Sequence, residues 1–191
     1  MTEGPVFERM RPIVSERPAA LVPIVLECLG GVRQARFFET ERGYQGELLA
    51  ELRARLTRAD LPGGAIVEQE YQKRLPEHGI KVRPDLIIHL PTPPGGNRRR
   101  GNFAVFELKL RAGKNQARED FANLDAVLSA LDYPLGVFVN IASNETHAAQ
   151  YGGPFRARLH FFAVRRAAGQ VQVRHSYYRQ RSLREELHES V

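Results

Sequence analysis

Tryptophan is absent from this chain, cysteine occurs once and methionine twice. With Cys28 alone, an intramolecular disulfide is excluded, as is every zinc or redox site built on paired cysteines. No HExxH sequence is present either, which removes the common helix-borne zinc site. No apolar stretch reaches the roughly eighteen residues that a membrane-spanning helix needs. The opening MTEGPVFERM has neither the basic start nor the apolar run of a secretory signal. A reducing, cytoplasmic setting and no membrane partner are therefore expected. The Gly pairs punctuate the chain without forming a GxxxxGK[ST] phosphate loop. Lysine is scarce too. Of 28 basic residues only Lys73, Lys81, Lys109 and Lys114 are lysines.

What remains is the composition of a globular protein, 42% hydrophobic and 26% charged. At 191 residues the chain is expected to form one domain that buries its own core. The formal charge of +6 is unevenly placed. Arg98, Arg99 and Arg100 follow one another in a Pro/Gly-rich connection, PTPPGGNRRRG, and residues 151–191 carry eight Arg against three Glu. Such clusters suit contact with a phosphate backbone. Cys28, within LVPIVLECLG, reads as a small buried apolar residue.

Two short segments carry the chemistry. One is RPDLIIHL, residues 83–90; the other is NFAVFELKL, residues 102–110. Both alternate as half-buried strands do, so residues two apart share a face. Leu86, Ile88 and Leu90 form one apolar face, and Asp85 lies on the other. Ala104, Phe106, Leu108 and Leu110 likewise point away from Glu107 and Lys109. If the two strands pair as a hairpin, Asp85, Glu107 and Lys109 converge at one end of a sheet. Two carboxylates and an ammonium are costly there unless they serve each other or a cation. Hard cations such as Mg²⁺ or Mn²⁺ take carboxylate and carbonyl oxygens, which Asp85, Glu107 and the backbone carbonyl of Leu108 would supply. Lys109 would sit beside the attacking water. A chain that so prefers arginine keeps a lysine here, where a compact ammonium and a planar guanidinium are not interchangeable.

Pro84-Asp85 and Glu107-x-Lys109, 22 positions apart, resemble the two elements of the PD-(D/E)XK nuclease superfamily. The resemblance implies an α/β, restriction-endonuclease-like core: helix, three strands, helix, strand, with a central mixed sheet flanked by helices. The order can be traced. Residues 41–59 read as an amphipathic helix, 65–73, 84–90 and 103–110 as strands, 115–131 as a second helix and 135–142 as a buried strand. The nuclease core is thus expected over 41–143, after an extension of 1–40 with a helix over 18–29. Residues 144–191 add a C-terminal β-hairpin, 156–166 with 170–178, turning at Ala168-Gly169. The charged tail 181–189 reads as a helical end.

The same resemblance implies a Mg²⁺-dependent nuclease that hydrolyses phosphodiester bonds, a DNA endonuclease in preference to one acting on RNA. A homodimer is compatible with it. Members place a further acid on the first helix, which points to Glu47 as a fourth catalytic residue, with Glu51 one turn on as its alternative. Glu70 resembles an acid on the first strand of some members. Lys114 and Gln116 open the second helix, where members carry phosphate-facing side chains and where a helix N-terminus itself favours phosphate. The Gln-x-x-x-Tyr element of the exonuclease-like branch is incomplete, because Asp120 and Phe121 occupy the place of its tyrosine. The competing expectation is a catalytically inactive nucleic-acid-binding or assembly domain on the same fold.

Overall fold

The computed structural model describes residues 17–57, 61, 63–69, 80–93 and 95–190. Helix α1 (Arg17–Gly31) and helix α2 (Glu41–Leu56) precede strands β1 (Ile66–Gln69), β2 (Leu86–His89) and β3 (Asn102–Leu110). Helix α3 (Lys114–Leu131) leads into β4 (Leu135–Ile141), and β5 (Leu159–Ala167), β6 (Gln170–Arg179) and β7 (Ser182–Ser190) follow. Among the described residues these strands form one seven-stranded sheet whose spatial order is the chain order. β1, β2 and β3 pair antiparallel. β3, β4 and β5 pair parallel. β5, β6 and β7 are again antiparallel. The expected mixed sheet between helices is present.

The start of α2 and the end of α3 have identifiable causes. Thr40 caps α2 in an extended conformation, its Oγ1 accepting from the Gly43 N–H at 3.1 Å. α3 ends at Asp132, whose φ of 53° is left-handed and whose N–H reaches the Leu128 carbonyl at 3.0 Å. Pro23 lies inside α1 on its exposed side.

Helices cover both faces of the sheet, so β3 and β4 are buried on each side. One core joins Leu21, Val25, Tyr44, Leu48 and Leu52 of α1 and α2 to Leu86, Ile88, Ala104, Phe106, Leu108, Val137 and Val139. The other joins Phe121, Leu124, Val127 and Leu128 of α3 to Ile87, Val105, Phe138 and Phe161. This two-sided burial is why β4 is apolar at every position but Asn140 and why Phe103–Phe106 of β3 is an unbroken apolar run. Phe121 meets Phe138 and Phe161 edge-on, with centroids 5.0 and 5.1 Å away. Cys28 is fully buried, and burial above all pushes its thiol up to about 12, so it is a core residue and not a nucleophile.

One expectation changes, and the register fixes where the triple arginine lies. The tail over 181–189 is no helix: it is β7, paired along β6 from Val171 opposite Ser190 to Arg179 opposite Ser182. The added element is therefore a three-stranded meander. The Arg98–Arg100 connection does not adjoin the motif residues. It joins the far ends of β2 and β3, and Glu107 lies five strand positions from Asn102, roughly 17 Å at strand rise. Among the described residues no helix is long and apolar enough to cross a membrane.

Candidate active site

The site grows from the register of β2 on β3. Leu86 stands opposite Phe106, and the Asp85 N–H donates to the Phe106 carbonyl at 3.1 Å. Asp85 is thereby brought level with Glu107, and its Oδ2 accepts from the Leu108 N–H at 2.6 Å. The backbone of the same residue is held from the other side, where the buried Gln45 of α2 donates through Nε2 to the Asp85 carbonyl at 2.8 Å.

One turn before Gln45, Glu41 opens α2. Its Oε2 accepts from the Leu110 N–H at 3.1 Å, and its Oε1 lies 3.5 Å from Lys109 Nζ. The first turn of α2 thus docks on the end of β3 that carries Glu107 and Lys109. Helix α3 crosses the face bearing Val105 and adds Asp120, which is 6% exposed. Asn140 on β4, fully buried, fixes the connection between β3 and α3. Its Oδ1 accepts from the Ala112 N–H at 2.8 Å, and its Nδ2 donates to the Glu145 carbonyl at 2.8 Å.

The electrostatics of this cluster are unbalanced. Among the described residues, Glu107 Oε1 and Asp120 Oδ2 are buried with no hydrogen-bond partner. Burial first, then the charges of Asp85 and Asp120, push the Glu107 carboxyl well above the usual carboxylate range. Asp120 rises to about 6, through burial first, with Lys109 opposing and Asp85 and Glu41 adding. Burial works against the Lys109 ammonium, but Asp120, Glu41 and Asp85 outweigh it and hold that group above its ordinary value. Four carboxylates therefore surround one ammonium. Orphaned buried oxygens under mutual repulsion are the donor set that a hard divalent cation relieves.

Asp85, Glu107 and Lys109 thus come together, and Glu41, Gln45 and Asp120 join them. No sequence signal marks Glu41, whose partner is a backbone N–H on β3, and Asp120 stands one turn after Gln116 where a tyrosine was sought. Glu47 makes none of the contacts described for Glu41 and Gln45. Six residues beyond Glu41, it is turned about 120° around the helix from it. Glu51 faces elsewhere and pairs with Arg55, which also lies 3.9 Å from Glu27. Glu70 lies outside the described residues. Gln116 turns back on its own helix start, accepting through Oε1 from the Gly113 N–H at 3.0 Å, while Lys114 is exposed beside it. Arg99 donates through Nε to the Ala130 carbonyl and through Nη2 to the Ser129 carbonyl, both at 2.9 Å. It therefore caps the C-terminus of α3. Arg98 and Arg100 flank it in the same connection. His89, level with Ile66 of β1, bonds Glu68 Oε2 at 2.7 Å.

This arrangement is the α/β, restriction-endonuclease-like fold that the order of the motifs and elements leads one to expect. The chain is similar to NucC of E. coli MS115-1 in its cAAA-bound form, with a TM-score of 0.52 and 14% identity over 98% of this chain and 85% of that one. The apo form of the same protein gives 0.49, with 14% identity over 88% and 81%. NucC of P. aeruginosa ATCC27853, cAAA-bound, gives 0.47, with 12% identity over 93% and 84%. At these identities the likeness concerns the fold. No protein-family model and no curated protein sequence matches the chain.

Proposed function

We propose that this protein is a nuclease that hydrolyses phosphodiester bonds of DNA with Mg²⁺ or Mn²⁺. The observation that carries this reading is the pair of buried, unpartnered carboxylate oxygens on Glu107 and Asp120, set beside Lys109 and level with Asp85. Asp85, Glu107 and the Leu108 carbonyl would hold the cation, with Asp120 close enough in the electrostatics to bear on it. When bound, such a cation polarises a phosphoryl oxygen and lowers the pKa of its water.

The protein's own groups define the rest. Asp120, Glu41 and Asp85 favour the Lys109 ammonium, which suits a group that orients the attacking water and offsets charge gathering on the phosphate. Glu41 positions Lys109 and, through the Leu110 N–H, ties that end of β3 to α2. Asp85 is aligned by the Leu108 N–H and by Gln45 before any ligand arrives.

The deciding experiment is a nicking assay on supercoiled plasmid, with single-stranded DNA and RNA in parallel, for wild type, Asp85→Asn, Glu107→Gln and Lys109→Ala. Mg²⁺-dependent nicking that all three substitutions remove supports the proposal. Wild type that binds DNA but turns over with no divalent ion would make this a binding module. Equal cleavage by wild type and Lys109→Ala would place the activity elsewhere.

A further inference from the structure

On the C-terminal meander, far along the sheet from the carboxylates, a second group of ligand-bearing side chains converges. The register sets His175 of β6 opposite Glu186 of β7, and Val173 opposite His188. His175 and His188 therefore stand on one face, with Glu186 two residues before His188 on the same side. One ring nitrogen from each histidine and one oxygen of Glu186 all lie within 4.8 Å of one another. Glu186 Oε2 is 3.4 Å from His188 Nε2.

Two of these atoms have no other employment. Among the described residues, His175 Nδ1 and His188 Nε2 are shielded from water and make no well-formed hydrogen bond, His188 Nε2 having only Glu186 Oε2 at 3.4 Å. A buried imidazole nitrogen left in this way is costly, and chains avoid it unless something completes the contact. The surroundings are built to hold the ligands still. His160 of β5 bonds the opposite nitrogen of His175, Nδ1 to Nε2 at 2.8 Å. Phe162 stacks on the His175 ring with centroids 4.5 Å apart. Tyr177 donates its hydroxyl to Glu186 Oε1 at 2.8 Å, which leaves Oε2 turned toward the histidines. Metal-binding histidines and carboxylates are held by outer partners of this kind.

We propose that His175 Nδ1, His188 Nε2 and Glu186 Oε2 form a Zn²⁺ site that fastens the edge strand β7 to β6. Two imidazoles and a carboxylate suit zinc among divalent ions and leave a fourth tetrahedral position for water. Bond lengths of about 2.0–2.2 Å around a tetrahedral ion set donors roughly 3.4 Å apart. Glu186 Oε2 and His188 Nε2 already have that spacing, and no other pair starts beyond 4.8 Å, within reach of modest side-chain rotation. Glu186 and His188 have side chains 48% and 41% exposed, so an ion reaches the site from solvent. β7 is the terminal strand of the sheet and is exposed along nearly its whole length, so a crosslink to its neighbour acts where packing is thinnest.

The test uses tag-free, metal-stripped protein in excess Mg²⁺, titrated with Zn²⁺ by calorimetry and with Co²⁺ by visible absorption. One equivalent of Zn²⁺ is expected, with a rise in Tm and the intense absorption bands of tetrahedral Co²⁺. His188→Gln and Glu186→Gln lie near the surface and should keep the circular dichroism of wild type while weakening Zn²⁺ at least tenfold. His160→Gln, one bond removed from the metal, should weaken it by roughly 10–100-fold. Asp85→Asn with Glu107→Gln should leave it unchanged. Absence of stoichiometric Zn²⁺ binding, or undiminished binding by folded His188→Gln, would overturn the site. Loss of Zn²⁺ in the Asp85→Asn, Glu107→Gln protein alone would assign the ion to the carboxylate cluster and also overturn it.

Discussion

Lys109 Nζ lies 3.5 Å from Glu41 Oε1, joining the third strand of the sheet to the first turn of a helix 68 positions earlier in the chain. An ammonium on a flexible four-carbon stem is a poor positioning device by itself. Glu41 gives it a fixed direction, because the same carboxylate is bonded to the Leu110 backbone at 3.1 Å.

Glu41, and not Glu47, is therefore the helix acid whose loss should be felt. Glu41→Gln should lower turnover on plasmid about tenfold or more, with DNA affinity in Ca²⁺ nearly unchanged. Glu47→Gln should leave turnover within twofold of wild type. The reverse ranking in a nicking time course would return the role to Glu47.

Lys109→Ala should cut turnover by on the order of 10²-fold with little change in affinity, since its contact strengthens in the transition state. Lys109→Arg should not restore it, because a planar guanidinium cannot take the same point beside Glu41. Rescue by arginine would mean that Lys109 is only a phosphate contact.

The pH dependence has a definite sign. Asp120 has an unfolded value near 3.8 and rises to about 6 in the fold, and Glu107 is displaced the same way. Between those values the folded chain holds more protons than the unfolded one, so metal-free stability falls as pH rises from about 4 through about 6. Asp120→Asn should flatten that fall, and saturating Mg²⁺ should do so in wild type. Denaturant midpoints at several pH values, with and without Mg²⁺, measure it. A rise in metal-free stability across this window would refute the raised values.

Mn²⁺ or Mg²⁺ should raise Tm by mass action, because the unfolded chain has no site. Asp85→Asn with Glu107→Gln should abolish that shift. It should also raise the metal-free Tm, by relieving the repulsion between the two. An equal metal-induced shift in wild type and the double variant would remove these two residues as ligands.

Arg99→Ala should act on stability, by about 1 kcal/mol for the two bonds to the end of α3. The salt dependence of DNA binding should stay as in wild type when Arg98, Arg99 and Arg100 are all neutralised. A slope flattened by about 0.9 per lost phosphate contact would instead make this connection part of the DNA surface.

The fold was legible where burial writes a period. β3 alternates from Phe106 to Leu110, β4 is apolar but for Asn140, and α3 carries Phe121, Leu124 and Leu128 on one side. β7 was not legible, because as an edge strand it has no buried face to mark it. Its stability comes from the β6 ladder and from cross-strand pairs such as Arg174 with Glu185 and Gln172 with Glu189, which a single segment does not display. Asp85, Glu107 and Lys109 were legible because strand parity fixes which of them share a face. Glu41 was not: its partner is a backbone N–H on β3, and no helical periodicity points to it. Asp120 was visible only as the residue standing where a tyrosine was sought.

A sheet whose spatial order repeats its chain order can be laid down in the sequence of synthesis. Glu41, Asp85, Glu107, Lys109 and Asp120 have all left the ribosome before the first residue of β4. The meander from β5 to β7 is then added to one side of an assembly that already holds its acids. Variation in those last strands, or their exchange for others in evolution, would alter the outer edge of the sheet and leave the carboxylate end in place.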